Sequence, residues 1–268
     1  MKKYLFLLSV LLLVVFYAPG TSSEHPSAPQ EQTLASATTM EAEVPGFFLA
    51  LLPPPEEWPH PLAMLWRATH LHQAVKNQLT SADWVKLKQM APSLPLAIVA
   101  VEDKRFYEHN GIDLDGIFRA TLANIQADEI VQGGSTITQQ LIKNVLLTSE
   151  QSWERKMWEA SLALLAETNY TKDELLEMYL NTTYYGAGAT GIKAASSIYF
   201  GKSPHELTLP ESATLAGLPN APSALNPYEN PNGCKNRRNL VLTVLQTQGK
   251  ITEEEANTAK AEPLLLSN

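Results

Sequence analysis

Three clusters of residues in this sequence are of the types and spacings that do chemistry. The first is LPLAIVAVEDKRFYEHNGID, residues 94–113, in which six apolar residues, Leu96 to Val101, run directly into Glu102 and Asp103. With Ser93 as an N-cap, such a run reads as a buried helix that delivers Glu102 from a dry wall into a polar site. Burial disfavours the ionised carboxylate, and so does the charge on Asp103. Both push Glu102 toward the range in which a carboxylate serves as a general base. The bland alternative is an ordinary helix end with solvated acids.

The second cluster is QGGSTITQQLIKN, residues 132–144. Gly133 and Gly134 permit close backbone approach or positive φ. Ser135, Thr136 and Thr138 supply hydroxyls, Gln139 and Gln140 supply amides, and Lys143 follows on the next helix. A Gly-Ser-Thr opening leaves free N–H groups at a helix start, which favours an anion. The spacing is not that of a Walker phosphate loop. The third cluster is Arg155-Lys156-x-x-Glu159, which opens a helix running to about Asn169. Arg155 and Glu159 share a face at i,i+4, and the arginine tends to keep the carboxylate ionised. Ala163 and Ala166 leave room above Glu159. Taken alone, this third cluster also reads as a surface ion pair.

The elements that must hold these clusters are helical. From about Pro61 the pattern is helical almost throughout, with capping boxes at Thr171/Glu174, Thr208/Glu211 and Thr252/Glu255. Further helices are expected over Leu240 to Gln248, stopping at Gly249, and from Thr252 to just before Pro263. Ahead of the helical part, Met1-Lys2-Lys3 and the apolar run Tyr4 to Ala18 read as a signal peptide or short signal anchor, residues 1–20. Residues 21–60 read as a linker. Its first part, Thr21 to Thr39, cannot bury a core, whereas Val44 to Trp58 is an apolar, proline-broken strap for the domain or a membrane surface. Residues 61–268 form the domain itself.

A net charge of −8 argues against nucleic-acid binding, so positive contacts to an anionic substrate must be local. Cys234 is the only cysteine, which excludes an intrachain disulfide and a cysteine-based zinc site.

In order, EDxxFxxHxG, GGSTITQQ and RKxxE resemble the motifs of glycosyltransferase family 51, the peptidoglycan glycosyltransferases. The likeness continues through Glu174 to Asn181 (ELLEMYLN), Ala194 to Lys202 and ESATLAGLPNAP at Glu211 to Pro222, covering about residues 82–263. The resemblance implies a mainly α fold, with a lysozyme-like helical large lobe and a smaller membrane-associated lobe near Asp113 to Gln132. It implies polymerisation of lipid II into β-1,4-linked glycan with inversion and release of lipid pyrophosphate, at the periplasmic side of the inner membrane. No SxxK follows the motifs, so the expectation is a monofunctional enzyme.

By the same resemblance, Glu102 is the general base on the acceptor 4-hydroxyl, and Glu159 assists departure of the pyrophosphate. Lys143, Arg155 and Lys156 neutralise its charge. Asp103, Phe106, His109, Gly133, Gly134, Ser135, Thr136, Gln139 and Gln140 shape the substrate site. A divalent cation, Mg2+ or Mn2+, could sit at Glu102 or Glu159 with bound pyrophosphate. Partners are lipid II, the growing glycan strand, the inner membrane and other cell-wall synthesis proteins, with no nucleic acid. One departure stands out: where the family commonly has an arginine, four residues before Arg155, this sequence has Gln151. An amide donates a hydrogen bond there but carries no charge. Two other readings remain at this point, hydrolytic or lytic cleavage of peptidoglycan by the two carboxylates and a non-catalytic lipid-binding or scaffold role.

Overall fold

The computed structural model describes residues 57–77, 83–127, 133–147 and 152–267. The leader, most of the linker and strap, Gln132 and Gln151 lie outside the described residues. The chain divides into two units, residues 1–66 and 67–268. In the first, the rings of Trp58 and Trp66 meet edge to face at 6.5 Å. The second holds the core and the site.

The fold is mainly helical, as expected. The order is α1 (His60–Thr69), α2 (Leu71–Lys76), α3 (Ser93–Glu102), α4 (Leu114–Ala127), α5 (Ile137–Leu146), α6 (Trp153–Asn169), α7 (Lys172–Thr182), α8 (Ile192–Phe200), α9 (Leu209–Gly217), α10 (Pro231–Thr247) and α11 (Glu253–Ala261). Among the described residues the only extended pairing is one antiparallel bridge, Tyr184 with Thr190.

Two groups of helices carry the site. In one, α9 packs against both α3 and α10, and α3 also packs on α10. The small side chains of α9 allow this: Ser212, Ala213, Thr214, Ala216 and Gly217 are all buried. In the other, α5 packs on α6 and α7. The capping boxes expected at Thr171, Thr208 and Thr252 form, and start α7, α9 and α11. Ser93 does not cap α3. It is the first residue of that helix, and its hydroxyl instead pairs with that of Ser212 at 2.8 Å, tying α3 to α9. Helix α10 starts nine residues earlier than the Leu240 expected, because Asn230 caps it by accepting from the Gly233 N–H.

Two ties fix the helices that flank the site. Glu177 and Asn181, one turn apart on α7, clamp the segment Trp84–Leu87. Glu177 accepts from Trp84 Nε1 and the Leu87 N–H, both at 2.7 Å, and the Asn181 amide exchanges hydrogen bonds with both backbone groups of Val85, each at 2.9 Å. On α10, Arg238 is fully buried and donates to the Lys260 and Glu262 carbonyls at 2.9 Å each. These are carbonyls left without helical partners at the end of α11.

Candidate active site

Glu102 is the last residue of α3, and it opens into a cleft of about 440 Å³. The lining includes Glu102 at the end of α3 with Asp103 and Lys104 just after it, Asp113, Gly116 and Arg119 around the start of α4, Gly133 to Thr136, Gln140 and Lys143 from α5, Asn220, and Arg237 from α10. The structure therefore brings the first two sequence clusters to one wall-to-wall site. The charge balance of that site is local: Lys104, Arg119, Lys143 and Arg237 line it in a chain whose net charge is −8.

Gln140 on α5 donates its amide N–H to Glu102 Oε2 at 2.9 Å. Behind it, the fully buried Tyr179 of α7 donates its hydroxyl to Gln140 Oε1 at 3.2 Å. Burial holds the Glu102 carboxyl above its ordinary value of 4.5, against the opposing pull of the Gln140 hydrogen bond and of the Arg237 and Lys143 charges. The direction is the one expected from the sequence. Asp103 contributes to it, though as the smallest of these causes.

Asp103 turns away from Glu102. His109 Nε2 donates to its two carboxylate oxygens, both at 3.0 Å, and the Ile137 N–H donates to Oδ2 at 3.0 Å. The first N–H of α5 is thus taken by the protein's own anion. Thr136 and Gln139 cap that end reciprocally. The sequence reading left this helix start open for a ligand anion; the structure fills it from within. Gly134 is not among the glycines with positive φ. Only Gly134 serves close approach, since a Cβ there would meet the Ile117 backbone at 3.3 Å.

Three residues expected at the site stand behind its wall. Phe106 is fully buried, with the Lys172 ammonium 4.4 Å from its ring centroid. His109 holds Asp103, and Gln139 belongs to the cap of α5. Gly111, from the same motif, has φ +86, and an added Cβ would lie 2.9 Å from the Ala163 carbonyl. The room over α6 left by Ala163 is filled by this backbone.

The third cluster sits differently from its expectation. Glu159 on α6 is buried, with 2% exposure, and does not line the cleft. Its close partner is Lys156, at i,i+3, rather than Arg155 at i,i+4. Lys156 Nζ also donates to Ser135 Oγ at 3.0 Å, and Ser135 is a lining residue. The chain Glu159–Lys156–Ser135 therefore reaches the cleft through its lysine. Arg155 is half-buried near the start of α6, where its N–H donates to the Ser152 cap at 3.1 Å.

Sequence reasoning missed Arg237 and Tyr179. Arg237 Nε donates to the Gly217 carbonyl at 3.3 Å, and its charge acts on Glu102. The signal was present. In α10 the buried positions Cys234, Arg238, Val241, Leu242 and Leu245 form one helical stripe. That stripe puts Arg238 inside and Arg237 at its border.

A family model described as Transglycosylase matches residues 69–246. Penicillin-binding protein 2D of Bacillus subtilis is 46% identical over 181 residues, which is 68% of this chain and 26% of that protein. Penicillin-binding protein 1A of Escherichia coli is 44% identical over 180 residues, 67% of this chain and 21% of that protein. A candidate transglycosylase of Cupriavidus necator is 45% identical over 184 residues, 69% of this chain and 79% of that protein. The chain thus spans about a quarter of the length of the penicillin-binding proteins it matches and most of the length of the Cupriavidus protein.

Proposed function

The chain belongs to the transglycosylase family, and from that premise we propose that its domain polymerises lipid II into β-1,4-linked glycan. The observation that carries the reading is Glu102 itself. It is a carboxylate with a raised proton affinity at the head of a cleft that four cationic side chains line. Such a group takes a proton from a sugar hydroxyl and holds it while neighbouring charges meet an anionic leaving group.

In the proposed step the acceptor 4-hydroxyl gives its proton to Glu102, and its oxygen bonds to the anomeric carbon of the growing strand. The bond from that carbon to phosphate breaks, and lipid pyrophosphate leaves with the electron pair. Attack opposite the leaving group converts an α-linked donor to a β-linked product. Lys143 and Arg237 stabilise the departing charge from the cleft wall. Lys156 does so across Ser135, and Glu159 acts as a positioning residue that fixes the lysine.

Among the described residues no group of three or more His, Cys, Asp or Glu side chains could hold a metal ion. Glu159, one of the two carboxylates considered for Mg2+ or Mn2+, is engaged by Lys156. A divalent ion held jointly by one carboxylate and the substrate phosphates needs no such cluster, and no step is routed through a metal.

The proposal extends to work at a membrane surface on the outer side of the cytoplasmic membrane, in contact with other cell-wall synthesis proteins. Helix α4 supports the lipid contact: Leu114, Ile117, Phe118, Leu122 and Ile125 share one exposed stripe beside the cleft, with Phe118 65% and Ile125 70% exposed. No helix among the described residues is long and apolar enough to cross a membrane. The basic lining favours glycosyl transfer from a pyrophosphate over glycoside hydrolysis, which needs no such charges. The test is incubation of the full chain with lipid II in detergent or vesicles. Polymeric glycan is expected; recovery of intact lipid II alone, or of hydrolysed disaccharide, overturns the reading.

A further inference from the structure

We propose that Tyr179 is a positioning residue that selects the orientation of the Gln140 amide, and through it the state of Glu102 that can accept a proton. The inference rests on the reading of Glu102 as general base. It is carried by the file of three side chains from the core to the cleft, Tyr179 Oη to Gln140 Oε1 at 3.2 Å and Gln140 Nε2 to Glu102 Oε2 at 2.9 Å.

An ionised carboxylate only accepts hydrogen bonds, so it requires the N–H edge of Gln140 to face it. That orientation points the amide oxygen inward, where an unpaired acceptor is costly. The Tyr179 hydroxyl supplies the donor. Without it, the oxygen is better satisfied by turning toward Glu102, and an oxygen there favours protonated Glu102, which can donate to it but cannot act as a base. Tyr179 is fully buried and does not itself line the cleft; its hydroxyl reaches the lining through Gln140. Its place is fixed from both sides, because Glu177 and Asn181, two residues before and after it, clamp the Trp84–Leu87 segment. The groups around Glu102 are thus Gln140 and Lys143 from α5, Arg237 from α10, the neighbouring Asp103, Tyr179 behind the amide, and the buried Tyr185, which also feels the Glu102 charge.

The test is a double-mutant cycle of Tyr179→Phe and Gln140→Leu in the full chain, with lipid II polymerisation as the assay and thermal melts as the fold control. Tyr179→Phe is expected to lower kcat on the order of tenfold with KM unchanged, the size of one lost buried hydrogen bond. It is expected to move the acid limb of the pH profile upward and to have no further effect in the Gln140→Leu background. Equal losses in both backgrounds, a KM effect alone, or an unchanged limb overturn the proposal. Should Tyr179→Phe not fold, 3-fluorotyrosine at position 179 keeps the shape with a stronger donor, and the limb should move downward; an unmoved limb again overturns it. Carbon-13 NMR of the Glu102 carboxyl reads the same shift without turnover. Failure of the wild-type chain to polymerise is therefore distinguishable from failure of this inference: a Glu102 titration unmoved by Tyr179→Phe contradicts the inference alone.

Discussion

Asp103 and Glu102 are adjacent in sequence and both border the cleft, but their carboxylates have different partners. Glu102 faces the cleft, whereas Asp103 accepts from the Ile137 N–H at 3.0 Å and from His109, and so joins the end of α3 to the start of α5. Asp103→Ala leaves His109 and that N–H buried without an acceptor. Loss of a partner in such a buried network typically costs about 3 kcal/mol. Thermal or urea unfolding should show a drop of that order, and Asp103→Asn, which keeps an acceptor, a smaller one. Unchanged stability in Asp103→Ala would show that the two helices are joined by other contacts.

The raised proton affinity of Glu102 makes its ionisation a cost to the fold. A carboxyl held above its unfolded value contributes most to stability below that value, and the contribution is lost as pH rises through the folded value. Glu102→Gln removes this loss. The variant should melt higher than wild type at neutral pH, and the difference should shrink toward pH 4. Calorimetry across that range checks it, and a variant less stable at pH 7 would contradict the burial assigned to Glu102.

Lys156 and Glu159 should not respond alike. Lys156→Ala takes away a charge beside Ser135 and leaves a carboxylate of 2% exposure without its ion-pair partner. A rise in KM is expected together with a loss of stability smaller than that of a fully buried pair, because the lysine side chain is 44% exposed. Glu159→Gln keeps the shape and frees the lysine, so activity should fall with a smaller loss of stability. Steady-state kinetics and melts on the two variants separate the effects; equal melts and an unchanged KM in Lys156→Ala would remove the lysine from the substrate's reach.

Gly111 carries a steric demand that no other residue meets. Its φ of +86 and the 2.9 Å from an added Cβ to the Ala163 carbonyl make Gly111→Ala both strained and overpacked. Destabilisation of about 2 kcal/mol or more is expected, read as a fall in Tm of roughly 5 °C. A neutral substitution would mean that α6 can yield at Ala163.

Much of this was legible in the sequence because it is local. A helix cap is decided within four residues, so the boxes at Thr171, Thr208 and Thr252 stood in plain view. The apolar run into Glu102 likewise announced a carboxylate delivered from a dry wall. What the sequence did not show were the partners chosen in three dimensions. Nothing local says that Asp103 will occupy the N-terminus of α5 instead of a ligand, or that Glu159 will take Lys156 over Arg155. Arg237 lies 135 positions after Glu102 in the numbering and meets it only because α9 is small enough to let α3 and α10 pack together. Tyr179 reads as one more apolar helix position until the amide in front of it is seen.

The most direct measurement of the central claim is glycan polymerisation from lipid II by Glu102→Gln, with folding confirmed by its melt. The amide has the shape of the carboxyl but cannot accept the acceptor's proton. A general base of this kind contributes about 10²–10⁴-fold, so the rate should fall in that range while the donor still binds. Polymer formed at the wild-type rate would contradict the account and leave Glu102 a structural residue at the end of α3.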